Sequence, residues 1–271
     1  MKKLGRVYTF IIFVFLYMPM IVLFVASFNT GKDISEFEGF TFARYAELFR
    51  DTSMLKLLLN SIIIALLSSL LATALGTLAA LGIHAMRGRV RRLVMDLTNI
   101  PLVNPEIVTG VSLSLLFVFV GSTIFGQQKV LGFTTLLIAH ITFNLPYVIL
   151  SVMPKLGQMD PSLSDAAQDL GCTPVQAFFK VIIHEIMPGM ISGAIMSFTM
   201  SLDDFVISYF VYGPDFVTLP VEIYNLTKKQ LPPRIYALFT LLFFVILIVM
   251  IIMNVLQARD ERKKQNRVFS H

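Results

Sequence analysis

The sequence predicts an all-α integral membrane protein: one transmembrane domain over residues 1–271, with six spanning helices and a two-helix segment outside the bilayer between spans four and five. Three observations predict it. Hydrophobic residues fill 56% of the 271 positions and charged residues only 14%, whereas soluble domains carry about 25% charged residues. Apolar runs long enough to cross about 30 Å of hydrocarbon recur along the chain. Residues 160–189, DPSLSDAAQDLGCTPVQAFFKVIIHEIMPG, read instead as capped, water-facing helix. The net charge of +5 comes from Lys and Arg gathered near membrane ends, so it bears on orientation and anionic lipid rather than on nucleic acid. A single cysteine, Cys172, excludes an intrachain disulfide framework.

The first span runs from Met1 to Phe28 behind Lys2, Lys3 and Arg6, with its N-terminus on the cytoplasmic side. Asn29 to Lys56 is the longest outer connection, and Phe37, Phe40, Phe42, Tyr45 and Phe49 point to a short element on the membrane surface. In the second span, Leu57 to Met86, Ala72, Gly76 and Ala80 form a small-residue stripe that lets helix backbones approach closely. The loop RGRVRR, with Arg87, Arg89, Arg91 and Arg92, is then cytoplasmic. Leu93 to Val120 is a third, irregular span that Pro101 and Pro105 should bend or break. Glu106 follows directly, and a carboxyl there either faces a cavity or pairs within the bundle.

The fourth span, Phe133 to Met153, holds His140, Asn144 and Pro146, read as packing and kink residues. In the water-facing segment, Asp160-Pro161 opens a first helix and Gly171 closes it in the left-handed region. Thr173 and Gln176 have capping-box spacing and open a second helix. Leu163, Ala166, Ala167 and Leu170, then Val175, Phe178, Phe179, Ile182 and Ile183, form apolar stripes that need a partner. That partner is either the chain's own spans or another subunit. The fifth span, Ile186 to Tyr212, carries the stripe Gly189, Gly193, Ser197 and Ser201. At about 100° per residue Asp204 joins this stripe, while Asp203 joins Met196, Thr199 and Met200. Gly213 to Pro233 is the last outer loop, Arg234 to Leu256 the sixth span, and the basic tail after it is cytoplasmic.

No enzyme motif is present. The chain has no His-Glu-x-x-His, no Gly-x-Ser-x-Gly, no metal-spaced Cys or His set and no phosphate-binding Gly-x-x-x-x-Gly-Lys-Ser/Thr loop. An intramembrane protease built on Asp203 lacks a second, separated Asp motif. A DNA-reading helix-turn-helix is excluded because Lys180 is the only basic residue on its second helix.

The run DAAQDLG at 165–171, followed at fixed spacing by Phe178-Phe179 and Pro188-Gly189, resembles the EAA loop of permease subunits in binding-protein-dependent ABC importers, which share the MetI-like fold. Asp165 stands where that family usually has Glu, Ala166, Ala167 and Gly171 match, and His184 replaces a common proline. The resemblance implies that this loop, with Val175, Phe178 and Phe179, couples to an ATPase subunit. It also implies a second similar permease chain, two copies of the ATPase that bind ATP and Mg, an extracytoplasmic binding protein and a bacterial plasma membrane. No cofactor is implied for this chain itself.

NPEIVTG at 104–110, SLDDFVISYF at 201–210 and TLPVEIY at 218–224 resemble the polyamine importers of the family, the spermidine/putrescine permeases. A polyamine needs spaced acceptors for its ammonium groups and aromatic faces between them. Asp203, Asp204 and Glu106, with Phe205 and Tyr209, meet that need if they line one passage. In a regular third span Glu106 would lie about 20 Å along the axis, near the depth of the two aspartates. A permease for another small solute and an ion-gradient-driven transporter remain the alternative readings.

Overall fold

A chain inside lipid has to satisfy its backbone polar groups internally, and helix does this within each segment. The computed structural model describes residues 2–31, 36–160, 162–228, 232–245, 247, 248 and 251. In order come α1 (Lys2–Ser27), α2 (Ala43–Arg50), α3 (Thr52–Ala85), α4 (Gly88–Val103), α5 (Glu106–Phe119), α6 (Phe133–Gln158), α7 (Ser162–Asp169), α8 (Pro174–Ala177), α9 (Ile183–Asp203), α10 (Val206–Val211) and α11 (Leu219–Thr227). A further apolar helix, α12, covers Arg234–Val245. Val120–Ile124 and Phe178–Ile182 are π-helical turns. Among the described residues five segments are long and apolar enough to cross a membrane: Gly5–Ser27, Thr52–Ala85, Glu106–Ile124, Phe133–Gln158 and Pro174–Asp203. Of the expected sixth span, α12 is described; Pro161, most of 246–256 and the basic tail lie outside the described residues.

The chain divides into two compact units, Lys56–Lys228 and, separately, Met1–Leu55 with Lys229–His271. Within the second of these, Arg44 donates to the carbonyls of Thr30 and Gly31 at 2.8 and 3.2 Å, and Ser27 Oγ meets Tyr45 OH at 2.8 Å. Phe28, Phe40, Phe42 and Tyr45 stack into one aromatic cluster. The region expected to hold a short surface element contains α2.

In the Lys56–Lys228 unit, α6 is the axle. It packs along α9 and carries the core residues Val148, Ile149, Val152 and Leu156. Small residues set the spacing. A methyl group at Gly189 would fall 2.8 Å from Ser151 O and 3.2 Å from Val152 Cα; one at Gly193 would fall 3.1 Å from Val148 Cα. On the other side Gly76 of α3 faces Val148, whose Cγ1 would lie 2.7 Å from an added Cβ. Both stripes legible in the sequence are buried: Ala72, Gly76 and Ala80 on α3, and Gly189, Gly193, Ser197 and Ser201 on α9.

Three expectations change, and the break expected in the third span is located. The second span begins at Thr52 rather than Leu57, because Asp51 Oδ1 accepts from the amides of Ser53 and Met54 at 3.1 and 3.3 Å and caps the helix earlier. The RGRVRR run is mostly helix, since α4 starts at Gly88. The third span is broken: Asn104 is extended, Pro105 caps α5, and the crossing segment starts at Glu106, while Pro101 sits inside α4. The fifth span is also broken, at extended Asp204, and its start is continuous with the water-facing segment. Pro146 and Pro154 lie within an unbroken α6, and the last outer loop contains α11.

The close α6–α9 approach has a direct test. Gly189→Val should force backbone apart and cost about 1–3 kcal/mol of stability. Gly82→Val, at a position where an added Cβ meets nothing within 4 Å, should leave thermal unfolding of the solubilised protein unchanged.

Candidate functional site

The site grows from the break between α9 and α10. Ending a helix inside a bilayer leaves amide groups without partners. Asp204, with an extended backbone (ψ 118), turns its carboxylate onto the next turn and accepts from Ile207 N at 3.2 Å and Ser208 N at 2.7 Å. His140 of α6 closes over it. Its Nε2 lies 2.9 Å from Ser208 Oγ and 3.4 Å from Asp204 Oδ2, and its Nδ1 lies 2.5 Å from Ser201 Oγ. Ser201 Oγ in turn meets Ser68 Oγ of α3 at 2.9 Å. His140, Ser68, Ser201 and Ser208 are buried, and Asp204 is 9% exposed. With the proton of His140 on Nε2, that N–H points toward Ser208 and Asp204 and Nδ1 accepts from Ser201. Helices α3, α6, α9 and α10 are thereby locked around one break.

This is where sequence reasoning fell short, because His140 was read as a packing residue. Its partners lie 61 and 68 residues away, so no local pattern shows them. The available signal was an intramembrane histidine together with an aspartate on a small-residue stripe.

The three predicted acids come together, though not equivalently. α5 packs on α10 through Gly110, where an added Cβ would lie 3.0 Å from the Phe210 ring and 3.3 Å from Ile207 Cα. This contact draws the 104–105 break toward the 204–205 break. Glu106 opens α5 behind the first break, and Asp203 and Asp204 stand at the second, where α9 ends. Glu106 and Asp203 are exposed, whereas Asp204 is turned into the His140 clamp.

Phe205 and Tyr209, the predicted aromatic pair, directly follow the second break, with ring centroids 5.5 Å apart. Sequence reasoning missed their third member, Tyr224 of α11, at 4.4 Å from Phe205 and 5.5 Å from Tyr209. α11 is held there because Asn60 Nδ2 donates to Val217 O at 2.9 Å and Leu219 N donates to Ser61 Oγ at 2.8 Å. Among the described residues no cluster of three His, Cys, Asp or Glu side chains has the form of a metal site.

The second predicted region is the water-facing segment. Gly171 has φ +88 and follows α7, while Thr173 Oγ1 accepts from Gln176 N at 3.3 Å and Gln176 Oε1 accepts from Thr173 N at 3.0 Å. Asp160 Oδ1 accepts from Ser162 N at 2.9 Å. Ala167 is buried and Phe178 half-buried, whereas Asp165, Ala166 and Gly171 are exposed. Leu170, Val175 and Phe179 are 87%, 66% and 58% exposed, so this part of the apolar surface is not covered by the chain's own helices. α7 folds against α8 and the π turn, and α8 runs through that turn into α9 as one crossing segment.

The two neighbouring aspartates should separate in stability measurements. Asp204→Ala strands buried amides and should destabilise by about 1–3 kcal/mol per orphaned group. Asp204→Asn, which keeps an acceptor, should cost less, and Asp203→Asn should leave thermal unfolding unchanged.

Residues 72–265 match the profile of a family described as the binding-protein-dependent transport system inner membrane component. The chain is similar to the spermidine/putrescine transport system permease protein PotC of Haemophilus influenzae, at 35% identity over 90% of this chain and 92% of that one. It is also similar to the putrescine transport system permease protein PotI of Escherichia coli, at 39% identity over 93% of this chain and 90% of that one. Among solved structures, a bacterial ABC transporter involved in import of the acidic polysaccharide alginate superposes with TM-score 0.69 at 15% identity, covering 94% and 95% of the two chains. The same kind of transporter in complex with a periplasmic protein bound to alginate pentasaccharide gives TM-score 0.70 at 17% identity, covering 92% and 91%. At such identities these two speak for the fold. With the family match covering well over half of the sequence, the chain belongs to the inner membrane permease components of binding-protein-dependent ABC importers.

Proposed function

We propose that this chain forms half of the translocation pathway of an ATP-driven importer for polyamines of the spermidine and putrescine type. The reading is supported by two helix breaks that leave the carboxyls of Glu106 and Asp203 exposed, the second of them followed by Phe205 and Tyr209, whose rings join that of Tyr224. Carboxylates hold ammonium groups by charge-assisted hydrogen bonds, and ring faces attract the same cations. Asp204 adds negative charge from behind while holding the break. The relatives named for spermidine and putrescine transport support the same substrate class.

Energy enters through residues 160–189. Asp165, Ala166, Ala167 and Gly171, with Val175, Phe178 and Phe179, offer an apolar, capped surface to an ATPase subunit. Two copies of that subunit bind ATP and Mg, and a second homologous permease completes the pore. A binding protein delivers substrate to the outer face of a bacterial plasma membrane, with both termini of this chain cytoplasmic. Closure of the ATPases then shifts the pathway between outward and inward exposure.

Uptake by the assembled complex, measured with ATP and a panel of labelled solutes, tests the substrate class. Glu106→Gln and Asp203→Asn should each cut polyamine uptake by about tenfold, the value of one charge-assisted contact. Undiminished uptake in both, and in Asp204→Asn, would overturn the acidic pathway. For coupling, replacing Asp165 or Gly171 should separate ATP hydrolysis from uptake while membrane insertion is retained; unchanged uptake in both variants would contradict it.

A further inference from the structure

The aromatic face beside the acids already holds a cation from the chain itself. Lys228, the C-cap residue of α11, places its Nζ 4.4 Å from the Tyr224 ring centroid and 5.6 Å from that of Tyr209. Among the described residues no carboxylate stands within ion-pair distance of this ammonium. A lysine near a helix C-terminus gains from the helix dipole wherever its side chain points. Here the side chain also selects the rings. They come from two anchored elements, Phe205 and Tyr209 beside α9's end and Tyr224 on α11, and Tyr224 is 38% exposed, so the face is open to an incoming group.

Chemically, Lys228 is a primary ammonium on a flexible methylene stem. The end of an aliphatic polyamine is the same group. We infer that the face formed by Phe205, Tyr209 and Tyr224 is a subsite for one primary ammonium of the transported amine, and that Lys228 occupies it until the substrate displaces it. This rests on the polyamine reading above. It adds a self-competing ligand: Lys228 weakens substrate binding at the subsite, and leaves it when a terminal ammonium arrives.

The test is direct binding of radiolabelled spermidine to the solubilised complex of both permeases with the ATPase, without the binding protein. A cation–ring contact of the exposed kind corresponds to about a two- to fivefold competition, so Lys228→Met should tighten Kd by about two- to fivefold. Lys228→Arg, which keeps a cation able to lie over the rings, should leave Kd near that of the unmodified chain. In the Lys228→Met background, Tyr224→Leu should remove the gain and Tyr224→Phe, which keeps a ring face, should retain it. An unchanged or weaker Kd in Lys228→Met, with saturable binding by the unmodified complex, would overturn this inference and leave the polyamine reading standing. A gain that survives Tyr224→Leu would overturn the aromatic subsite. No saturable spermidine binding by the unmodified complex would overturn both.

Discussion

A helix cannot stop inside a bilayer unless the amide groups it frees find partners, since lipid offers none. At the end of α9 the partner is the Asp204 carboxylate, which caps α10, and the carboxylate is in turn held by His140 with Ser201 and Ser208. Removing the histidine would leave a buried carboxylate and hydroxyls with fewer partners, an expensive state in low dielectric. The break therefore depends on a contact between helices distant in sequence. Ser68 extends the same chain of hydrogen bonds to α3.

That constraint sorts two adjacent, chemically identical residues. Asp204 turns inward and serves structure, while Asp203, the last residue of α9, stays exposed beside Glu106. The break also changes the direction of the chain so that Phe205 and Tyr209 reach Tyr224. On the proposed function a further consequence follows. The segment Pro174–Asp203 is 30 residues long, roughly 45 Å at 1.5 Å per residue. It links the exposed Val175 and Phe179 at one end to the acidic break at the other. Movement imposed by an ATPase on α8 has a continuous helical path to the pathway.

Much of this was legible in the sequence because it depends on local chemistry. The Thr173–Gln176 capping box, the left-handed Gly171 and the two small-residue stripes are all determined by neighbours a few residues away. Helical periodicity also put Asp204 on the small-residue face, though not its turn at the break. What escaped was set by tertiary partners. Nothing around 204–205 resembles a helix terminator: there is no proline or glycine, and the break is stabilised by His140 from another span. Pro105 did announce the other break, but Pro101, Pro146 and Pro154 carry the same signal and sit within unbroken helices. Tyr224 was hidden for the same reason, since α11 reaches the site only through its anchors at Asn60 and Ser61.

The central claim is that the His140–Asp204 contact holds the broken helix and so positions the pathway. Amide hydrogen exchange, followed by mass spectrometry on the solubilised complex with His140→Leu, tests it most directly. Exchange should quicken in peptides covering 204–211 and stay unchanged in those covering α7. Exchange over 204–211 as slow as in the unmodified protein would contradict the claim.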